Sequence, residues 1–555
     1  MKRRRDARPG LVALALVGVV GWPLAAMVGE ASRPGESAGS SREIVAASRP
    51  GEIVRPLALA FESTRLVAAT EAVALPLGLA LGFLLFRTDL WGRRAMLGAV
   101  ALSAFVPMPL HATAWLGGFG NAGRSQALGA GPLLVGWSGA AFIHAMAALP
   151  WVVAIAGVGF RAVEPDLEDA ARLDLSPWLV TRKVTLRRSL GAVLAASLAV
   201  AVLTAGDMTV TDLLQVRTYA EECYTQYQRG NSPGAAASSL PPLFALGGLI
   251  LLGASWLLRA DPERLASASA GPRDWRLGRW RVPVGLAVMA TAGQLVALPL
   301  YSLIWRAGRV GGRATMGLPP RWTLEGFAGT LRFALGELWG LGYVRPLRSP
   351  LLGSALLAGA GALVAVALAW SLAWLARRAG PWRWAAAATL ALTLAVPGPV
   401  VGMALIVAYL RWPAVYDTPL IVVLAYASRT LPYALLVLWP AVRGLPREFL
   451  DAAELAGHGP WGRIRRVALP LTRPAILAAW GVAFALALGE LPAANLVVPP
   501  GTTLLAVRVW ELLHTGVESH LAGVGLVMLA AIGAAGAAAA WALGRAFRPG
   551  AGPAS

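Results

Sequence analysis

The 555-residue chain has a single cysteine and few charged residues. With only Cys223, it can form neither an internal disulfide nor a cysteine-based zinc site. Charged residues make up 14% of the chain, whereas soluble globular domains have about 25%. Hydrophobic residues make up 57%, which excludes intrinsic disorder. The composition therefore argues against an ordinary water-soluble enzyme and favours an integral membrane protein.

Lysine is almost absent, and this excludes ATP hydrolysis through a P-loop in this chain. The only lysines are Lys2 and Lys183, and neither lies in the Gly-x-x-x-x-Gly-Lys-Ser/Thr motif of an ATP-binding P-loop. The sequence also lacks His-Glu-x-x-His, Gly-x-Ser-x-Gly and any Cys/His cluster, and its five histidines are scattered. We therefore expect no enzymatic activity, no cofactor and no metal site in this chain.

Long apolar runs are the main positive feature, because a bilayer-spanning helix needs about 20 apolar residues. Runs without any Asp, Glu, Lys or Arg are 11–29, 95–123, 125–160, 189–206, 230–258, 282–305, 349–376, 384–410, 474–489 and 519–544. Two more runs each contain one ionisable residue: 66–86 with Glu71, and 418–442 with Arg429. The sequence thus predicts an all-α integral membrane protein with about twelve transmembrane helices. We expect the first helix to be retained, because its run is longer than the core of a signal peptide.

The distribution of Lys and Arg predicts the orientation in the membrane. When both termini are placed in the cytoplasm, the inside loops hold 31 of these residues and the outside loops hold 16. Cytoplasmic loops are normally the basic ones. The net charge of +20 is therefore attributed to cytoplasmic loops facing a lipid bilayer, and not to nucleic-acid binding.

The chain repeats itself at an offset of 282 to 290 residues. The matching pairs are Val106-Pro107-Met108-Pro109 with Val396-Pro397-Gly398-Pro399, Leu149-Pro150 with Leu431-Pro432, Asp169-Ala170-Ala171 with Asp451-Ala452-Ala453, and Gly206-Asp207 with Gly489-Glu490. Such a steady offset predicts two six-helix halves in parallel orientation.

The predicted domains follow from this repeat. They are an N-terminal helix with a polar outside loop (1–61), a first membrane domain (62–256), a cytoplasmic linker (257–281), a connecting helix with an outside loop (282–348), a second membrane domain (349–542) and a C-terminal tail (543–555).

Each half has one long basic inside loop between its fourth and fifth helices. The second loop contains Asp451-Ala452-Ala453, then Gly457, and later Leu469-Pro470. This pattern predicts a short helix, a glycine break and another short helix, which suits docking into a groove of a soluble partner. The first loop contains Asp169-Ala170-Ala171, but it is one residue shorter, lacks the glycine and has Arg187 in place of the closing proline.

These residues resemble the EAA motif of binding-protein-dependent ABC importer permeases, with Asp451 in the place of the glutamate. The resemblance implies a duplicated type I ABC importer transmembrane domain in the bacterial inner membrane. It implies that a cytoplasmic ATPase subunit, in two copies, contacts both loops, and that a periplasmic binding protein delivers the solute. The implied ATPase-coupling residues are Asp451, Ala452, Ala453, Gly457, Leu469, Pro470, Asp169, Ala170 and Ala171.

A further resemblance concerns the solute. Gly489-Glu490-Leu491-Pro492-Ala493, Pro499-Pro500-Gly501 and Leu512-Leu513-His514-Thr515-Gly516 are similar to segments of ferric-iron importer permeases in which both halves are fused. The resemblance implies ferric iron as the solute. Thiamine permeases share the fused plan, so thiamine or another small solute remains an alternative, as does an ion-gradient-driven secondary transporter.

Three ionisable residues are candidates for lining the solute pathway. Arg429 lies inside a predicted span, where charged residues are costly and often functional. Asp207 and Glu490 both follow the fifth helix of their half, and paired carboxylates suit a hard cation such as iron. Structural roles are the alternative: an ion pair or membrane-interface position for Arg429, and helix termination for the two carboxylates.

Overall fold

The computed structural model describes residues 8–31, 51–121, 123–230, 232–259, 275–311, 321–339, 349–378, 380–515 and 518–546. Helices dominate these residues, so the predicted all-α class is confirmed. In the described part of the chain, the only two-stranded sheet pairs β1 (Arg309–Val310) with β2 (Arg321–Trp322) in antiparallel register.

The helices are numbered in chain order. Up to the linker they are α1 (Arg8–Leu16), α2 (Trp22–Ala31), α3 (Gly51–Arg87), α4 (Arg93–Ser103), α5 (Met108–Phe119), α6 (Arg124–Ala127), α7 (Gly136–Arg161), α8 (Pro165–Arg172), α9 (Pro177–Val180), α10 (Leu186–Arg188), α11 (Leu190–Ala205), α12 (Thr209–Leu213), α13 (Tyr219–Gln228) and α14 (Ser232–Arg259).

After the linker the helices are α15 (Arg281–Ala307), α16 (Leu324–Trp339), α17 (Pro350–Ala376), α18 (Pro381–Ala395), α19 (Gly398–Tyr409), α20 (Pro413–Tyr416), α21 (Leu420–Arg443), α22 (Arg447–Leu455), α23 (Pro460–Arg463), α24 (Leu469–Leu488), α25 (Ala494–Val497), α26 (Leu505–Thr515) and α27 (Glu518–Ala546). Short π-helical segments join neighbouring helices at Val17–Gly21, Thr181–Thr185 and Ile464–Ala468, and one 3₁₀ turn covers Gly278–Trp280.

Seven of the described helices are long and apolar enough to span a membrane, or up to ten if each bent helix pair counts as one span. The continuous spans are Gly10–Ala31, Ala58–Arg87, Gly136–Arg161, Gly278–Ala307, Pro350–Ala376, Leu420–Arg443 and Pro460–Leu488. Shorter apolar helices cover Leu240–Gly253 and Glu518–Ala534. The chain is therefore a multi-pass membrane protein, while the full set of twelve spans in two halves stays a prediction.

Proline divides two apolar runs that the sequence suggested as single spans. Run 384–410 forms α18 and α19, which meet at 107°, and run 95–123 forms α4 and α5. Val396, before Pro397, has φ −76° and ψ 120°, as expected because the ring of a following proline disfavours the helical region for the preceding residue. Pro107 and Pro397 each begin the next helix as its N-cap residue. Apolar composition alone does not show such a break.

The chain divides into two compact units, and each unit is made of segments that are not consecutive in the sequence. One unit comprises Met1–Arg33, Trp339–Val507 and Ala530–Ser555, and the other comprises Pro34–Leu338 and Arg508–Leu529. In the first unit, α2 packs against α19: Tyr409 Oη donates to the Gly18 carbonyl at 2.6 Å, and Trp22 Nε1 donates to the Ala408 carbonyl at 3.3 Å. Retention of this first helix and the six predicted domain bounds stay predictions.

Small residues allow the central helices of each unit to approach closely. In one unit, α3 packs against α7, and a Cβ at Gly78 would lie 2.4 Å from a Val152 methyl carbon. In the other, α17 packs against α21, and a Cβ at Gly361 would lie 2.6 Å from Tyr426 Cβ. Close backbone approach through small residues is the usual packing mode of membrane helices.

Candidate functional site

The second loop has the helix, break and helix that the sequence predicts. Helix α22 ends at Leu455 and α23 begins at Pro460. Between them Gly457 has φ +80°, a left-handed conformation that other residues rarely adopt. Its N–H donates to the Glu454 carbonyl and the N–H of His458 donates to the Ala453 carbonyl, each at 2.9 Å. These two hydrogen bonds form a Schellman C-cap, which explains why glycine occupies this position.

Two polar contacts connect the two sides of the break. Glu454 forms an ion pair with Arg463, and Arg466 Nη1 lies 3.1 Å from His458 Nε2. The sequence predicts Arg463 and Arg466 as basic residues that keep this loop on the cytoplasmic side, but it does not predict these two contacts. Together with the glycine cap, they define the angle between α22 and the segment that continues through Ile464–Ala468 to Leu469-Pro470 at the start of α24.

The second loop exposes large apolar side chains. Leu455 is 90% exposed, and Phe449 and Trp461 are also exposed. Ala453 is buried, while Asp451 and Ala452 lie at the surface. Large apolar side chains exposed on a predicted cytoplasmic loop are candidates for contact with a partner protein. We call Phe449, Leu455 and Trp461 the second docking face.

The first loop also exposes large apolar side chains, although its sequence is the poorer copy of the motif. Leu173 is 85% exposed, and Leu167 and Trp178 are also exposed. These three residues precede Phe449, Leu455 and Trp461 by 282 or 283 positions. We call Leu167, Leu173 and Trp178 the first docking face.

The first loop ends its helix α8 without a left-handed residue. The N–H of Leu175 donates to the Ala171 carbonyl at 2.9 Å, so the chain turns through ordinary helical geometry. Asp169 lies 3.5 Å from Arg172, and Ala170 is exposed. The residues implied as ATPase-coupling are thus found on α8 (169–171), on α22 (451–453), at the break (Gly457) and at the start of α24 (469–470), and their contact with a partner stays a prediction.

Arg429 and Glu490, two of the candidate pathway residues, form an ion pair in one unit. Arg429 Nε lies 3.5 Å from Glu490 Oε1. Arg429 Nη1 also donates to the Val396 carbonyl at 3.0 Å, at the break between α18 and α19. The buried Glu490 carboxylate accepts from the N–H groups of Ala493 and Ala494, at 3.2 and 3.0 Å. A carboxylate at these N–H groups stabilises the start of α25.

Asp207, the third candidate, has a comparable arrangement in the other unit. Its Oδ2 accepts from the N–H of Val210 at 2.8 Å and lies 3.2 Å from Nε2 of the buried His144. For each of the five histidines the sequence favours a structural role over metal binding, but it does not predict the contact of His144 with Asp207. No motif marks it; the available signal was its place in the predicted fourth helix of the first half.

These contacts favour the structural alternative for Asp207 and Glu490. Each carboxylate is engaged by a backbone N–H and by a side chain of its own unit. Among the described residues, no group of three or more His, Cys, Asp or Glu is placed to hold a metal ion. A role of Asp207, Glu490 or Arg429 in the solute pathway stays a prediction.

Residues 361–549, about a third of the chain, match the family described as "Binding-protein-dependent transport system inner membrane component". This range contains the second loop, Arg429 and Glu490, whereas the first loop lies outside it. The match therefore supports the EAA resemblance where that resemblance was strongest.

Individual permeases are also similar to part of the chain. The putrescine transport system permease protein PotI of Escherichia coli (strain K12) is 29% identical over 160 residues, which are 28% of this chain and 56% of PotI. PhnV of Salmonella typhimurium (strain LT2), named for 2-aminoethylphosphonate transport, is 30% identical over 142 residues, 25% of this chain and 53% of PhnV. The spermidine/putrescine transport system permease protein PotC of Haemophilus influenzae is 26% identical over 106 residues, 19% of this chain and 41% of PotC. The chain thus spans about half the length of the relatives that it matches.

Proposed function

We propose that this chain is the permease subunit of a binding-protein-dependent ABC importer in the bacterial inner membrane. The observation that supports this most directly is the second docking face. It lies within the range that matches the family, it exposes Leu455 almost completely, and the Gly457 cap and the Glu454–Arg463 pair define its shape. A preformed apolar projection of this kind suits a groove on a soluble partner.

In this proposal the chain performs no covalent chemistry. A cytoplasmic ATPase subunit binds each docking face, and a periplasmic binding protein delivers solute to the opposite side of the membrane. ATP-driven closure of the two ATPase subunits moves the two loops, and the helices switch between outward-open and inward-open states, as in alternating access. The mechanical residues of the second loop are those of the motif, with Gly457 maintaining the bend. Both termini lie in the cytoplasm.

The proposal is tested by copurification of the chain with the ATPase subunit and the binding protein encoded beside it. Leu455→Glu places a charge on the docking face, and we expect it to release most of the ATPase subunit bound there. Leu128→Glu is the matched control, because Leu128 is 72% exposed between α6 and α7, in a segment (120–131) that the Lys and Arg distribution predicts to lie outside. We expect the control to keep its ATPase partners.

Unchanged ATPase binding and transport in Leu455→Glu would contradict the proposal. Transport by the purified chain without ATP would instead favour a secondary transporter driven by an ion gradient.

Ferric iron is the solute we propose, on the basis of the resemblance to fused permeases in residues 489–516. The relatives' names support a second candidate, an organic amine, because putrescine and 2-aminoethylphosphonate both bear amino groups. The partner binding protein distinguishes these solutes: its thermal midpoint is measured with ferric citrate, putrescine, 2-aminoethylphosphonate or thiamine. Stabilisation by ferric citrate alone is expected, and stabilisation by another compound alone would replace iron with that compound.

A further inference from the structure

A buried ion pair lies directly behind the first docking face. Glu168 of α8 is 1% exposed, and its carboxylate is paired with Arg87, the last residue of α3, which is 0% exposed. Thr185 Oγ1 donates to the other carboxylate oxygen at 2.6 Å. Arg87 Nη1 also donates to the Phe160 carbonyl at 2.5 Å. The first loop is therefore joined by charged groups to the end of a predicted membrane span.

The end of the linker contacts the same two elements. The N–H of Trp275 donates to the Arg87 carbonyl at 2.7 Å, and Trp275 forms a β-bridge with Thr88. On the loop side, the Arg172 guanidinium lies 4.4 Å from the centre of the Trp275 ring. Trp275 thus connects the end of α3 with the end of α8.

The second loop has apolar residues where the first has Glu168 and Thr185. Leu450 takes the place of Glu168 and Ala468 the place of Thr185, at offsets of 282 and 283. Arg377, directly after α17, corresponds to Arg87 at an offset of 290, but its Nη1 donates to the Trp374 carbonyl at 2.6 Å, and Ala468 is fully buried. The second loop has the Gly457 cap, whereas the first loop has no glycine at its turn. The two loops therefore reach similar exposure by different means.

The buried pair restricts the rotation of α8. Removing one partner would leave an unpaired buried charge, which is strongly unfavourable, so Glu168 is held inward. Leu173 follows five residues later, about 140° around a helix of 3.6 residues per turn, and it is therefore turned outward. The Arg172–Trp275 contact holds the same end of α8.

We propose that Arg87, Glu168 and Trp275 are positioning residues that hold the first docking face in the orientation that its ATPase partner accepts, in place of a glycine cap. This inference rests on the proposed function. It predicts that the first loop is mechanically coupled to α3 and to the linker, and that the second loop does not depend on these residues.

The test uses site-specific cross-linking in the assembled complex. Leu173→Cys and Leu455→Cys each provide one surface thiol, and each is cross-linked to the ATPase subunit. In the Arg87→Ala, Glu168→Gln and Trp275→Ala backgrounds, we expect the Leu173→Cys cross-link to fall to about a tenth or less. The reason is that a displaced first docking face loses most of its contact with the ATPase subunit. The Leu455→Cys cross-link should remain, which also shows that each variant is folded.

Two further variants separate positioning from a general loss of stability. Arg87→Lys keeps the charge and should keep most of the Leu173→Cys cross-link. The triple variant Arg87→Ala, Glu168→Leu and Thr185→Ala introduces the apolar residues of the second loop at positions 168 and 185 and removes the arginine charge that would otherwise be left unpaired. We expect it to fold and insert, but to retain less Leu173→Cys cross-link than the unsubstituted background, because the first turn has no glycine cap.

An unchanged Leu173→Cys cross-link in all three single-residue backgrounds would overturn the inference while leaving the proposed function intact. Equal loss of the Leu173→Cys and Leu455→Cys cross-links would also overturn it, because the effect would then be global. Absence of both cross-links in the otherwise unsubstituted chain would overturn the proposed function itself.

Discussion

Arg429 Nε lies 3.5 Å from Glu490 Oε1, and the same guanidinium donates to the carbonyl of Val396. Val396 is the C-cap residue of α18, where helix carbonyls lack partners within the helix. The cation therefore joins a helix break to the segment after α24. Arg429, which the sequence predicts as a candidate pathway residue, thus has structural contacts within its own unit that can account for its presence in a membrane span.

Replacing one member of this pair should destabilise the protein. For Arg429→Met we expect a loss of about 3–5 kcal/mol, because the buried Glu490 carboxylate would be left without its cation. For Glu490→Gln we expect a smaller loss of about 1–3 kcal/mol, because an amide oxygen can still accept from the Ala493 and Ala494 N–H groups. Chemical unfolding of the purified protein in detergent, with the double variant completing a cycle, measures both values. Normal stability combined with loss of transport would instead indicate a pathway role.

Gly457 and Gly459 form a matched pair for testing the bend of the second loop. A Cβ at either position would meet nothing within 4 Å, but only Gly457 has a positive φ. Gly457→Ala should therefore cost about 1–2 kcal/mol locally and reduce ATP-driven transport, with membrane insertion intact. Gly459→Ala should be close to neutral. Transport assays in vesicles check both, and equal activity of the two variants would argue against a mechanical role for the bend.

Cys223 should be unreactive in the folded protein. Its side chain is buried, and burial raises the pKa of the thiol well above its ordinary value, so the reactive thiolate is scarce at neutral pH. We expect no maleimide labelling in mild detergent and complete labelling after denaturation, as measured by mass spectrometry. Rapid labelling of the native protein would show that α13 opens readily.

Labelling from the two sides of the membrane tests the predicted orientation. Leu173→Cys and Leu455→Cys should react with an impermeant maleimide only in inside-out vesicles, whereas Leu128→Cys should react in right-side-out cells. All three leucines are exposed, so the side of the membrane that each one faces should decide whether the reagent reaches it. Reaction of Leu173→Cys and Leu455→Cys from opposite sides would refute the parallel two-half arrangement.

Glu221 of α13 should make stability depend on pH. Burial raises the pKa of its carboxyl above the ordinary value, and the neighbouring Glu222 and Asp212 raise it further, against a lowering hydrogen bond from Thr225. Below the ordinary glutamate pKa, both the folded and unfolded states hold the proton and there is no cost. As pH rises through the raised pKa, the folded state becomes charged and loses stability. Glu221→Gln should therefore raise the thermal midpoint at neutral pH but not at acidic pH, and a change that is equal at both values would contradict this.

The sequence predicts the helices well because apolar runs and bilayer thickness are both local constraints. It does not predict the division of run 384–410, since the effect of Pro397 on backbone direction leaves the hydropathy unchanged. It also predicts the bend at Gly457, because a glycine after a short helix is a local capping signal.

Other features depend on residues that are distant in the sequence. The Arg87–Glu168 pair joins residues 81 positions apart, and the His144–Asp207 pair joins residues 63 apart. The first loop matches the motif poorly because it lacks the glycine and the closing proline. The exposure of Leu173 depends instead on which side of α8 is held inward, and that is decided by three-dimensional contacts.

The hydrogen bond from Tyr409 to Gly18 has a consequence for biosynthesis, because 391 residues separate its two ends. At translation rates of about 5–20 residues per second, the first helix leaves the ribosome roughly 20–80 s before its partner α19 exists. During that interval it must rest against lipid or against the insertion machinery. Assembly of this unit therefore finishes only after most of the polypeptide has been made.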